Sequence, residues 1–245
     1  MKTDSENKLT RNTGFYERTS KLTRNFVDAR GFWLPNDYTK HGVINEYNAC
    51  REKAVLIDLS SLRKFEILGP DAEELMNYTL TRNVKKLSVG QIVYSAMCYE
   101  NGTMFDDGTL LKLSDHGFRW VCGDEYGGEW LKEQAKKKNY KVHIKNSTDQ
   151  INNLSLQGPK SRKILEKIIF TPPTQPSISE LEWFRFSICR LEELNGIPLI
   201  VSRTGYTGEL GFEIWCHPSD APTVWDKVME AGKDEGLIPA GFAAL

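Results

Sequence analysis

Phe65-Glu66-Ile67-Leu68-Gly69-Pro70-Asp71-Ala72-Glu73-Glu74-Leu75-Met76 reads as a strand, a turn and the opening of a helix. Lys64 to Leu68 is a short β-rich run, Gly-Pro-Asp ends it, and the segment from Ala72 to Asn77 follows with helical character. Two further β-rich runs lie between Val93 and Leu113, on either side of Glu100-Asn101-Gly102-Thr103. An Asn-Gly pair supplies the positive φ angles of a tight primed turn, so this stretch is predicted as a hairpin. A strand near Phe118 to Cys122, a helix near Glu129 to Lys138 and a strand at Lys141 to Ile144 complete the series. The order β-α-β-β-β-α-β approximates a ferredoxin-like unit with one extra strand.

The same grammar recurs further on. Leu154-Ser155-Leu156 runs into Gln157-Gly158-Pro159-Lys160 and a helix from Arg162 to Ile169, echoing Leu68-Gly69-Pro70-Asp71 and pointing to two similar subdomains. The segment Thr171-Pro172-Pro173-Thr174-Gln175-Pro176 is a connector. Strands are expected at Phe184 to Glu192, Leu199 to Arg203 and Phe212 to Cys216. A helix from Ala221 to Gly232 turns Val224, Val228 and Met229 inward. Upstream, Val43 to Lys53 reads as a helix with Val43, Tyr47 and Cys50 on one side and Glu46 elsewhere, followed by a buried strand, Ala54 to Asp58. The first dozen residues are polar enough to form a loose leader, with structure beginning near Phe15. An α+β class follows. The expected division is residues 1–60 plus 148–245 as one subdomain and 61–147 as a second, ferredoxin-like one.

The chain has 245 residues, 40% hydrophobic and 27% charged, with 32 Lys+Arg against 33 Asp+Glu. A formal net charge of −1 gives no general field for nucleic acid or an anionic membrane, so neither is expected as a partner. No stretch approaches the roughly 20 apolar residues of a membrane helix, and the N-terminus lacks the apolar run of a secretory signal. Five scattered cysteines argue against a disulfide framework and for a reducing compartment, the cytoplasm or, in a eukaryote, the mitochondrial matrix. The four histidines show no metal-ligand spacing, so no metal site is expected.

Chemistry concentrates in two places. Ser202-Arg203-Thr204-Gly205-Tyr206-Thr207-Gly208-Glu209-Leu210-Gly211-Phe212-Glu213 packs three glycines into seven positions. Such a loop either turns tightly between two strands or lets a flat ligand approach the backbone. It has neither a GK[ST] ending nor G-x-G-x-x-G spacing, so the nucleotide reading is weak. The second place is Asp106-Asp107, just after the predicted hairpin turn. Strand alternation sends the two carboxylates to opposite faces, so they are not a dyad. A carboxylate in an apolar surround can exchange a proton near neutral pH or orient a ligand N–H; alternatively, both cap backbone groups or face water.

Taken together, these blocks resemble the aminomethyltransferase (T-protein) family of the glycine cleavage system and its tetrahydrofolate-dependent demethylase relatives. The resemblance runs from Phe15-Tyr16-Glu17-Arg18 and Asp28-Ala29-Arg30-Gly31-Phe32-Trp33-Leu34-Pro35 through Gly69-Pro70-Asp71-Ala72 and Tyr94-Ser95-Ala96-Met97. It continues through Asn101-Gly102-Thr103-Met104-Phe105-Asp106-Asp107, Leu156-Gln157-Gly158-Pro159 and the glycine-rich loop to Pro239-Ala240-Gly241. The resemblance implies a folate-binding region with the ferredoxin-like subdomain inserted and a C-terminal β-rich domain absent from this chain. By similarity, tetrahydrofolate is the cofactor. Glu213 accepts the pterin N–H and amino groups, Tyr94 and Tyr206 line the pocket, Thr109 offers backbone contacts, and Asp107, the catalytic residue, lies near N5 and N10. The implied reaction moves a one-carbon unit from an aminomethyl or methyl donor to tetrahydrofolate, the donor in the glycine cleavage case being carried on a lipoyl arm of a partner protein. A buried acceptor lacking its donor costs about 1–3 kcal/mol, so Glu213 is expected to hold water or be strained when no folate is bound.

The chain departs from the family pattern at several points. Leu245 stands where the family has a folate-contacting Arg, and Asp58-Leu59-Ser60-Ser61-Leu62 replaces Asp-Val-Ser-His-Met. Cys122 falls where an Asn is frequent, and Trp183-Phe184 where a pair of tyrosines is common. These changes favour a donor other than the usual one. A non-catalytic folate-binding module and the folate half of a flavin-linked dehydrogenase are the alternatives. The sequence has neither a Lys-Gly-Cys motif nor a dinucleotide fingerprint.

Overall fold

The computed structural model describes residues 10–245. In chain order the elements are β1 (Arg11–Asn12), α1 (Tyr16–Leu22), β2 (Phe26–Ala29), β3 (Phe32–Pro35), α2 (Val43–Glu52), β4 (Ala54–Asp58), β5 (Arg63–Leu68), α3 (Ala72–Thr79), β6 (Ile92–Cys98) and β7 (Met104–Ser114). They continue as β8 (Gly117–Cys122), α4 (Tyr126–Lys138), β9 (His143–Asn146), β10 (Asn152–Gln157), α5 (Ser161–Glu166), β11 (Ile169–Phe170), β12 (Phe186–Leu191), β13 (Pro198–Ser202), β14 (Gly211–Cys216), α6 (Ala221–Gly232) and β15 (Leu237–Pro239). The chain divides into two compact units, residues 1–61 with 150–245 and residues 62–149. Among the described residues no helix is long and apolar enough to cross a membrane.

The first unit contains a seven-stranded sheet in the order β11-β12-β13-β14-β10-β4-β15. Neighbours are antiparallel except β4 and β15. Its core follows from period-2 alternation. Leu56, Leu154, Leu156, Val201, Phe212 and Ile214 point to one face and pack with Ile164 and Leu165 of α5 and Val224, Trp225 and Val228 of α6. The opposite face carries Asn153, Ser155, Gln157, Ser202, Glu213 and Trp215, and it too is buried. A small separate sheet, β1-β3-β2, completes this unit.

The second unit is a five-stranded antiparallel sheet, β6-β7-β8-β5-β9, whose core joins Phe65, Ile67, Leu110, Phe118 and Trp120 to Leu75 and Met76 of α3 and Leu131 of α4. The first unit repeats this plan from β10 onward. β10, α5, β12, β13, β14, α6 and β15 reproduce the element order, and β12-β13-β14-β10 followed by β15 reproduces the strand order, with β4 wedged before β15. Both strand-to-helix joints use a glycine in the same way. Gly69 and Gly158 have φ of +136° and +124°. A Cβ there would stand 2.5 Å from the carbonyl oxygen of Lys141 and 2.6 Å from that of Lys53, so neither site has room for a side chain.

Several sequence expectations are corrected. Arg11 and Asn12, placed in the loose leader, form a strand parallel to β3; residues 1–9 lie outside the described residues. The 93–113 hairpin forms, but its turn is not the two-residue type that Asn-Gly favours. The loop Glu100-Asn101-Gly102 is closed by the Gly102 N–H to Tyr99 O and Tyr99 N–H to Thr103 O bonds, and only Gly102 has positive φ. The helix after Gly158-Pro159 ends at Glu166 instead of reaching Ile169, which joins β11.

On α2 the buried residues are Glu46, Ala49 and Cys50, while Tyr47, assigned to the inner side, is 47% exposed. Glu46 goes inside because its carboxylate accepts the backbone N–H of Tyr38 at 2.6 Å and of Gly241 at 2.9 Å. A buried charge is tolerable when hydrogen-bonded in this way. Glu46→Ala would leave both donors without a partner, at about 1–3 kcal/mol each. We expect a loss of about 2–4 kcal/mol, measured from the denaturant midpoint; a loss below about 0.5 kcal/mol would show that water replaces the carboxylate.

Candidate functional site

Glu213 sits in the middle of β14, on the polar face, between Ser155 of β10 and Ser202 of β13. It is 8% exposed. The Asn153 Nδ2 donates to its Oε1 at 3.0 Å, and the Thr204 hydroxyl donates to its Oε2. Thr204 in turn shares a 2.7 Å bond with the Ser202 hydroxyl, which accepts the Trp215 Nε1–H at 3.2 Å. The carboxylate is thus neither starved nor strained, contrary to the sequence expectation, because the sheet face itself supplies neutral donors to both oxygens.

The glycine-rich segment joins β13 to β14, and two of its glycines serve the protein's own side chain. A Cβ at Gly205 or Gly211 would lie 2.2 or 1.9 Å from the Gln157 side-chain oxygen. That amide donates to Ser155 Oγ at 3.0 Å and Thr204 O at 3.2 Å, and accepts the Thr207 hydroxyl at 3.0 Å. Gly208, with φ of +79°, makes the turn. Tyr206 lies on this loop and is 60% exposed as a residue. Its hydroxyl nonetheless titrates above the ordinary phenol range, first through desolvation and then through the charge of Glu213. Tyr206 also lines a cleft of about 310 Å³ with Tyr47, Cys50, Arg51, Ile57 and Thr207; Glu213 is not among its walls. The volume falls at the lower end of small-molecule sites.

In the second unit, β6 and β7 pair with Tyr94 opposite Thr109 and Ala96 opposite Asp107. Tyr94, Thr109 and Asp107 therefore share one face of the hairpin, and Tyr94 reaches Asp107 on the diagonal. Its hydroxyl donates to Asp107 Oδ2 at 2.6 Å. That bond, more than burial, holds the phenol proton and raises its pKa. Asp107 is exposed and Asp106 buried, as strand alternation requires. Asp106 accepts the backbone N–H groups of Asp107 (2.9 Å), Gly123 (3.3 Å) and Asp124 (3.1 Å), tying β7 to the start of α4. Burial first, then the Asp106 charge, pushes the Cys122 thiol well above its usual range, which disfavours the thiolate.

The partners of Glu213 escaped the sequence reading. Asn153-Leu154-Ser155-Leu156-Gln157 alternates polar and apolar residues, a pattern ordinarily read as one wet face, yet Asn153, Ser155 and Gln157 are 0%, 1% and 0% exposed. The signal was present: three consecutive polar positions on a strand entering a glycine turn.

A profile described as the GCVT N-terminal domain matches residues 15–245. Trimethylamine-oxide aldolase of Ruegeria pomeroyi is 52% identical over 242 residues, covering 99% of this chain and 31% of that protein. An aminomethyltransferase of Alkaliphilus metalliredigens is 37% identical over 221 residues, covering 89% of this chain and 57% of that one. The crystal structure of the glycine cleavage system aminomethyltransferase T from Bartonella henselae superposes with a TM-score of 0.81 at 25% identity, covering 96% of this chain and 60% of that one. The chain thus spans about a third to three fifths of the length of these relatives. With the profile covering nearly the whole chain and the fold agreeing with it, this protein belongs to the GCVT N-terminal domain family.

Proposed function

We propose that the chain binds tetrahydrofolate and serves one-carbon transfer to it from an aminomethyl or methyl donor. The observation that carries this reading is Glu213: a buried carboxylate, both oxygens oriented by neutral donors, on a sheet face where the neighbouring Asn153 Oδ1 has no partner among the described residues. Such an acceptor-rich site suits a flat heterocycle with several N–H groups on one edge. The pterin ring N–H and 2-amino group are an edge of this kind, and the residues present fit it.

Tetrahydrofolate supplies the nitrogen that takes up the one-carbon unit. Glu213 holds the ring and fixes its orientation, and Tyr206 flanks it. In the second unit the Tyr94 hydroxyl occupies Asp107 Oδ2, which leaves Oδ1 to take up a proton. Alignment of this sort lowers a barrier without a covalent intermediate. The donor is an aminomethyl group on the lipoyl arm of a carrier protein, with ammonia leaving, a methylated amine or a methylated sulfur compound. The names of the relatives support the first two.

Calorimetric titration with tetrahydrofolate tests the reading directly: heat with one-to-one stoichiometry is expected, and its absence would remove the proposal. Tyr94→Phe gives a second check. Tyr94 is half exposed, so stability should stay within about 0.5 kcal/mol. A hydrogen bond to a charged group is worth about 1.5–3 kcal/mol, so turnover should fall by roughly tenfold or more; unchanged turnover would leave the bond without a catalytic part.

A further inference from the structure

We propose that Asn153 is a second acceptor for the ring edge that Glu213 binds, its Oδ1 taking an N–H of the exocyclic amino group while its Nδ2 fixes the carboxylate. This rests on the folate reading above. Asn153 is 0% exposed on β10. Its backbone is committed: the N–H donates to Ser60 Oγ at 3.0 Å and the carbonyl accepts the Leu59 N–H at 2.9 Å. Its side-chain orientation is set by Glu213, because turning the amide over would place its oxygen against the carboxylate. Oδ1 is consequently left buried with no donor among the described residues.

Several donors on this face are engaged elsewhere. Trp215 Nε1–H goes to Ser202, the Thr204 hydroxyl to Glu213 and the Gln157 amide to Ser155 and Thr204 O. A buried acceptor in this state is costly and is explained when a ligand supplies the missing N–H. The carboxylate and the amide oxygen together form a row of acceptors. Such a row selects an edge on which a ring N–H and an NH2 group lie side by side, and rejects one that presents a methyl group or a carbonyl instead. The ligand class is therefore a 2-amino-4-oxo pyrimidine edge, read by two residues.

The test is a cycle of calorimetric titrations on the whole chain, with wild type and Asn153→Ala, using tetrahydrofolate and its 2-desamino-2-methyl analogue. Asn153→Ala should weaken tetrahydrofolate about 10- to 100-fold and change the analogue less than twofold, because the analogue has no amino group to lose. Equal losses for both ligands would overturn the proposal, since Asn153 would then act only by propping Glu213. Wild type that binds neither ligand would defeat the folate reading itself. Asn153→Ser, which keeps a hydroxyl on the sheet face, takes the place of Asn153→Ala in the same cycle if thermal melts show the alanine variant unfolded.

Discussion

Asp107→Asn should lower turnover by about 10²–10⁴ while tetrahydrofolate still binds, the range that positioned general acid–base groups contribute. An amide presents the same shape but does not take up the proton. The change is structurally mild. Residue 107 is exposed, and the side-chain oxygen of Asn still accepts the Tyr94 hydroxyl. Stability should therefore move by no more than about 0.5 kcal/mol. The readout is the rate of methylenetetrahydrofolate formation with an aminomethyl-loaded lipoyl carrier, or of methyltetrahydrofolate formation with a methylated amine, alongside a calorimetric binding constant. A rate within threefold of wild type would remove Asp107 from the chemistry. A parallel loss of binding would make it a contact, not a proton-handling group.

Glu213→Gln should be the most damaging change to binding, and for a reason the sheet face makes clear. Asn153 Nδ2 and the Thr204 hydroxyl both donate toward position 213. A glutamine has one acceptor oxygen and one NH2 group, so only one of the two donors keeps its bond and the other must turn or go without an acceptor. Losing a charge-assisted acceptor costs about 1.5–3 kcal/mol per bond. We expect tetrahydrofolate affinity to fall about 10²–10³-fold and stability to fall by about 1–3 kcal/mol. Unchanged affinity with lowered stability would confine Glu213 to the sheet's own hydrogen bonding.

The architecture was legible where local chemistry and periodicity agree. Gly-Pro after an apolar run marked both strand-to-helix joints, and the repeat of that joint pointed to the shared strand plan. Alternation alone separated Asp106 from Asp107. Polar residues that go inside were the hard cases. Glu46 and Asn153 look like surface positions by residue type, and only partners distant in sequence, Gly241 for one and Glu213 for the other, justify their burial. The glycine-rich loop was half read: its turn at Gly208 was foreseeable, but the occupant of the space beside Gly205 and Gly211 is Gln157, which no short-range pattern announces. Glu213 itself became a candidate through family resemblance. Nothing in a lone glutamate on an apolar strand separates a ligand contact from an error of register.

The strand wedged into the repeated plan has an engineering consequence. β4 and β10 are antiparallel partners, Leu154 facing Asp58, and the whole of 62–149 is strung between their adjoining ends. Topologically this is one long hairpin carrying a domain in place of its bend. Closing a chain over a long connection costs only slightly more entropy than over a short one, roughly 0.6 kcal/mol per doubling. The inserted segment is thus a natural cassette: excisable with a brief Gly-Ser bridge across the gap, or exchangeable with a counterpart from a relative, without recutting either neighbouring strand.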